Sequence, residues 1–239
     1  MKRLERSLKE LDIAMPVAPA AMPIIMRELI GRNGREDGGL YLQVTRGVAR
    51  RDHPFPKHTK PALVMTICAA KLPKEHEVKN GVKVITGPDL RWARRDIKSV
   101  SLLANVLSKQ EAAKHQARET WLVEGGMTVS EGSVSNAYIV SKNGEIITHQ
   151  ADEHILGGVT RDVVLKLARK AGIPVAERPF NLVEMKEAAE AFITSTSANV
   201  LPVATIDGKA VSSGKPGAVT RKLQELHAAH VFKQTGKIL

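Results

Sequence analysis

The chain has 239 residues, of which 43% are apolar and 26% charged. That balance excludes a disordered or fibrous protein and allows either one large domain or two small ones. Aromatic residues make up only 3%, so aliphatic side chains must fill the core, and few rings are available to stack on nucleic-acid bases. The 36 Lys and Arg against 25 Asp and Glu leave a net charge of +11, which favours an anionic partner without naming one. These basic residues are spread along the chain rather than gathered in a tail, which is equally the pattern of a solvated positive surface. The one cysteine, Cys68, excludes an intrachain disulfide and a cysteine-built zinc site, and no metal is expected. Its place in an apolar run predicts a buried, inert thiol. No stretch has the length and apolarity of a membrane span, and the charged start of the chain does not read as a signal peptide. A cytoplasmic protein with neither membrane nor nucleic acid as partner is expected.

In chain order, Leu4, Leu8 and Leu11 fall on one helical stripe, so residues 2–11 predict an amphipathic helix. A second helix is expected over residues 23–30, with Pro23 in its first turn and Gly31 at its end. Two strand-like runs follow, residues 40–45 and 62–67, separated by a basic loop that carries Pro54 and Pro56. The polar stretch 71–81, with Pro73, is the best linker candidate. Beyond it come a strand at 82–86, a long helix at 100–118, and strands at 121–124, 136–141 and 146–148. The last two strands are joined by the hairpin turn Lys142-Asn143-Gly144. Helices at 160–170 and 182–190 then alternate with strands at 175–178, 192–194 and 200–206, and a helix over 217–233 closes the chain. The pattern is a mixed α/β protein with a small first portion and a larger second one.

Several segments could carry chemistry. At Gly157-Gly158-Val159-Thr160, glycines precede a helix whose first turn offers a hydroxyl and free backbone N–H groups. That combination suits a phosphate cup, and it equally suits ordinary helix capping. The hydroxyl cluster Thr194 to Ser197 at a strand end can donate to an anion or simply form a turn. Glu131 stands directly before a glycine turn and a strand. Lys98 borders the apolar residues 100–103, where partial desolvation would lower its pKa and make its amine a nucleophile for carbonyls. Arg51 and His53, in the basic loop, could clamp a carboxylate by forked and single hydrogen bonds.

In order, the segments Gln43 to Gly47, Arg91 to Ser99, Thr128 to Ser133 with Ser135-Asn136, Gly158 to Asp162 and Thr194 to Thr196 closely resemble the fold-type IV pyridoxal phosphate enzymes. Within that class the loop Arg51-Asp52-His53-Pro54-Phe55-Pro56 is similar to that of the D-amino acid aminotransferases. The resemblance implies an α/β fold with an incomplete small domain at residues 1–72 and a large cofactor-binding domain at 73–239. It implies that Lys98 bonds covalently to pyridoxal 5'-phosphate and later moves the proton, and that Glu131 bonds the pyridine nitrogen. Arg3, Val159, Thr160 and Thr196 would hold the cofactor phosphate. Arg51 and His53 would take the substrate carboxylate, helped by a partner subunit in a homodimer. The implied reaction passes an amino group between a D-amino acid such as D-alanine and a 2-oxo acid, 2-oxoglutarate or pyruvate. Branched-chain aminotransferase and aminodeoxychorismate lyase chemistry are the alternatives within the fold, and a non-catalytic basic binding protein is the alternative outside it. Two departures stand out. Arg3 is almost the first residue, where relatives carry a further segment of the small domain, so the resemblance implies an N-terminally truncated chain with impaired activity. Val134 stands where relatives often have Ser, which removes a hydroxyl.

Overall fold

The computed structural model describes residues 1–35, 37–70 and 72–237. The chain divides into two compact units, Met1–Lys71 and Leu72–Leu239.

In the first unit, α1 (Lys2–Glu10) buries Ser7 and Leu8 on its apolar stripe. After a 3-10 turn at Pro19–Ala21, α2 (Met22–Asn33) runs past the expected stop at Gly31. A side chain at Gly31 would meet nothing within 4 Å, so that position imposes no break. The helix ends instead at Gly34, whose φ of 60° is the left-handed cap that glycine adopts without strain. Strands β1 (Gly39–Thr45) and β2 (Ala62–Cys68) pair antiparallel, from Gly39 opposite Cys68 to Thr45 opposite Ala62. Successive side chains of a strand point to opposite faces, and Val64, Thr66 and Cys68 share the open one. Cys68 is therefore exposed, which corrects the expectation of a buried thiol.

The second unit begins within the stretch expected to be a linker. Residues Glu75–Asn80 instead form a short helix, α3, whose Glu77 carboxylate accepts from the Lys74 backbone N–H at 2.8 Å and from Arg118 at 3.2 Å. Strand β3 (Val82–Pro88) follows, then α4 (Leu103–Lys114), shorter at both ends than the expected helix. Gln116 takes a left-handed φ of 51°, which ends α4 and turns the chain into β4 (Glu119–Glu124). Strand β5 (Thr128–Gly132) was not anticipated from sequence. After it come β6 (Asn136–Val140), β7 (Ile146–Thr148), α5 (Val159–Lys170), β8 (Val175–Glu177), β9 (Phe180–Asn181) and α6 (Leu182–Glu187). The chain continues through β10 (Glu190–Ser195), β11 (Asn199–Ile206), β12 (Lys209–Ala210) and α7 (Ala218–Thr235).

The strands join in the order β8-β7-β6-β10-β11-β3-β4-β5-β9, with β12 beside β11. The sheet is mixed: β3 runs parallel to both β11 and β4, whereas β6, β10 and β11 are antiparallel neighbours. Both faces are covered, so β6 sends Ala137 and Ile139 into one core and Tyr138 and Val140 into the other. On one face Val164, Leu165 and Ala168 of α5 and Leu223 of α7 pack over Tyr138, whose ring stacks on Phe192 at 4.4 Å. On the other, Trp121 meets Phe180 edge to face at 6.0 Å. These two cores hold the carboxyl end of β5, the start of β6 and the start of α5 in fixed relation.

Candidate active site

Glu131 lies on β5 rather than in the turn that follows it, and is 3% exposed. Its Oε1 accepts from Arg91 Nη1 at 2.5 Å and from the Leu156 backbone N–H at 3.0 Å, and its Oε2 accepts from Asn136 Nδ2 at 2.8 Å. Burial drives the carboxyl up and Arg91 opposes it, leaving the group at about 7. Asn136, the first residue of β6, also donates to the Leu156 carbonyl at 2.8 Å. A Cβ on Gly158 would collide with Asn136 Oδ1, so only glycine lets the start of α5 close against Asn136.

Gly158 is the N-cap of α5 and has no side chain with which to accept from the first turn. The contrast with two other helices is direct. Asn181 accepts from Val183 and Glu184 at the start of α6, and the buried Glu190 carboxylate accepts from Val219 and Thr220 at the start of α7. Val159 is 59% exposed at the head of α5. The helix itself is pinned by Arg161, 2% exposed, which donates to the His149 carbonyl and to Glu177, both at 2.7 Å. In the sheet Thr194 of β10 pairs with Asn136, which brings the turn containing the exposed Thr196 to the same end. Asn136 is thus the shared neighbour of three segments, through Glu131, Gly158 and Thr194.

Lys98 lies in the loop between β3 and α4, after the buried Asp96 and Ile97. The residue is exposed, and the apolar residues Val100, Leu102 and Leu103 that were expected to shield it are themselves exposed. The loop is anchored by residues to which the sequence analysis assigns no individual role. Asp89 accepts from Arg91 through both oxygens, at 3.0 and 2.8 Å, and from Ser130 Oγ at 2.7 Å, and it lies 3.6 Å from Arg95 Nε. Arg95 reaches Glu124 at 3.1 Å, and its backbone N–H donates to the Glu153 carbonyl at 3.0 Å. Burial alone would raise the Asp89 carboxyl, but Arg91 and Ser130 outweigh it and hold the group below its ordinary range. The one signal in the sequence was the spacing Asp89-Leu90-Arg91, which lets a carboxylate clamp the guanidinium two residues on.

Arg3, Arg51 and His53 belong to the first unit. Arg3 lies in α1, partly buried, and Arg51 and His53 are exposed in the loop between β1 and β2. That loop is tied to the end of α1 by Arg46, which donates to the carbonyls of Leu11 and Asp12 and lies 3.6 Å from the centroid of the Phe55 ring.

The structure thus sets a mixed sheet with a core on each face, and the glycine-led start of α5 close to a buried carboxylate, an arrangement chemically able to take an anion next to an acid. The comparisons make this particular. The family model for amino-transferase class IV matches residues 1–206, and the chain belongs to that family. It is 42% identical over 225 residues to the D-alanine aminotransferase of Staphylococcus aureus (strain COL), covering 94% of this chain and 79% of that protein. It is 40% identical over 235 residues to the D-alanine aminotransferase of Bacillus licheniformis, covering 98% and 82%. Among solved structures, the branched-chain amino acid aminotransferase of Escherichia coli superposes with a TM-score of 0.87 at 22% identity, covering 96% of this chain and 77% of that one. A branched-chain amino acid aminotransferase from T.th., complexed with N-(5'-phosphopyridoxyl)-L-glutamate, gives 0.82 at 28% identity, covering 98% and 77%.

Proposed function

We propose that the protein is a pyridoxal 5'-phosphate-dependent aminotransferase that exchanges an amino group between a D-amino acid of the D-alanine type and a 2-oxo acid, 2-oxoglutarate or pyruvate. The observation that carries the cofactor is the fit of the residues around Asn136. The α5 N-terminus, uncapped by any side chain, offers backbone N–H groups of Val159 and Thr160 to a phosphate, and Thr160 and Thr196 offer hydroxyls. Glu131 stands ready to accept from a protonated ring nitrogen. The D-amino acid preference is carried by the identity to the D-alanine aminotransferases.

When bound, the cofactor supplies an aldehyde to receive the amino group and a ring that takes up the electrons released at the substrate α-carbon. Lys98 provides the amine that holds the cofactor in the resting enzyme and moves the proton at that α-carbon. Glu131 keeps the ring nitrogen protonated. Arg3 adds a charge for the phosphate, and Arg51 and His53 bind the substrate carboxylate. In domain terms, residues 73–239 form the cofactor-binding domain and residues 1–72 form part of the small one.

The functional assembly in this reading is a cytoplasmic homodimer. The exposed apolar residues Leu103, Val106 and Leu107, at 74%, 58% and 59% exposure on one face of α4, are the surface proposed for the partner. Sedimentation equilibrium should give a dimer, with L103E/L107E shifted towards monomer, and cell fractionation tests the location. Function is tested by single-turnover assays with D-alanine, D-glutamate and L-leucine. D-alanine should react fastest, and faster reaction with L-leucine would replace the reading by the branched-chain one. Borohydride reduction followed by peptide mapping should place the cofactor on Lys98, and a label on any other lysine overturns that role.

A further inference from the structure

We propose that Arg91, aimed by Asp89, is a positioning residue for the reaction: its guanidinium favours the ionised form of the buried Glu131 carboxyl and holds it in the orientation that Leu156 and Asn136 complete. The two side chains are almost wholly buried, at 8% and 4% exposure, and meet at 2.5 Å. The other direct partners of Glu131, the Leu156 N–H and the Asn136 amide, are neutral donors. They fix direction but supply no opposing charge. The charged groups that bear most on Glu131 are Arg91 and Asp89, and they act in opposite senses. Arg91 favours the carboxylate, while the Asp89 charge disfavours it. Asp89 nevertheless serves the arrangement, because its two oxygens grip Arg91 Nε and Nη2 and leave Nη1 pointed at Glu131. Asp89 is itself held by Ser130, the neighbour of Glu131 on β5, and by its backbone N–H donating to the Val123 carbonyl at 2.9 Å. The clamp, in the loop after β3, is thus fastened to β4 and to β5, the strand that carries the group it controls.

With Arg91 in place Glu131 titrates close to neutrality despite its burial. Without that cation, desolvation is opposed only by neutral donors such as the Leu156 N–H, and the group becomes a neutral acid at physiological pH. A neutral Glu131 cannot stabilise a protonated ring nitrogen. This consequence rests on the proposed cofactor chemistry, whereas control of the Glu131 charge does not.

The experiment therefore uses cofactor-free protein. Infrared difference spectra between each protein and the same protein carrying Glu131→Gln isolate the carboxylic-acid band of Glu131 as a function of pH. The midpoint in Arg91→Gln should rise by about 1–3 pH units relative to wild type, and Arg91→Lys, which restores the charge, should bring it most of the way back. If Arg91→Gln does not fold, Asp89→Asn/Arg91→Gln removes both buried charges together. Its midpoint should still rise, because the contact at 2.5 Å outweighs the loss of the more distant Asp89. An unchanged midpoint in whichever of these proteins folds overturns the proposal. In the loaded enzyme Arg91→Gln should lower kcat at least tenfold with KM for D-alanine moved less than threefold. If the infrared shift occurs but kcat is unchanged, the charge control stands and the ring-nitrogen role of Glu131 fails instead.

Discussion

Gly158 shows how one missing methyl group can hold a site open. A Cβ there would overlap Asn136 Oδ1, and Asn136 is the residue that bonds Glu131 and faces the head of α5. Gly158→Ala should therefore destabilise the fold by about 1–3 kcal/mol through overpacking, and it should weaken cofactor binding as Asn136 is displaced. Chemical denaturation and a cofactor titration measure the two effects separately. Glu131 gives a pH prediction. Its pKa is raised from the ordinary 4.5 to about 7, so between those values the folded protein binds more protons than the unfolded chain. Stability from this group therefore falls as pH rises through that window. Glu131→Gln removes the dependence, and its stability relative to wild type should climb between pH 4.5 and 7 by a few kcal/mol, on the order of 3 at about 1.36 per unit. Denaturation midpoints across that range would check it, and a flat difference would show that Glu131 is ionised throughout. At this scale the roles proposed for Glu131, Thr160 and Thr196 were suggested in sequence by their glycine and hydroxyl neighbours. The pairings of Arg91, Asp89 and Asn136 were not legible, because a buried arginine or asparagine looks like any other until its partners are known.

Elements were legible where period and punctuation agree, and were missed where a tertiary contact decides. The start of α5 is marked by Gly157 and Gly158, and the hairpin between β6 and β7 is marked by Asn143-Gly144, with Gly144 at a φ of 80°. By contrast α3, six residues long, is too short to show a helical period, and it depends on Glu77 reaching back to Lys74 and across to Arg118. Helix α4 was overestimated because Gln116, in a left-handed conformation, gives none of the warning that glycine would. That residue makes a test: Gln116→Gly should stabilise the second unit by about 0.5–1 kcal/mol, the strain relieved exceeding the entropy that glycine loses. Loss of stability would mean that the Gln116 side chain makes a contact worth more than the strain.

At the scale of the whole molecule the two units differ in how much they bury. In the second, β6 and β10 are buried on both faces, whereas among the described residues of the first only Ser7, Leu8 and Met22 are buried and the described sheet has two strands. A two-stranded sheet is marginal by itself, so amides of β1 and β2 should exchange with solvent hydrogen much faster than those of β6 and β10. Equal protection in both units would show that β1 and β2 are covered in solution. The α/β class was readable from the alternation of helices and strands. The neighbour relations in the sheet were not, because they join segments far apart in sequence and hydropathy carries no information about partners.

The placement of β3 between β4 and β11 has a consequence for biosynthesis. Strand β3 ends at Pro88, but its parallel neighbour on one side begins only at Asn199. A ribosome must therefore translate more than a hundred further residues before that edge can close. Until then the nascent chain shows an apolar strand with one side bare, a natural substrate for chaperones. The turn carrying Thr196 forms only when β10 and β11 have paired, so in the proposed site the cofactor cannot guide the early steps. Ribosome-bound chains arrested before Asn199 clears the exit tunnel should be digested readily by protease, and chains arrested after Thr235 has cleared it should resist.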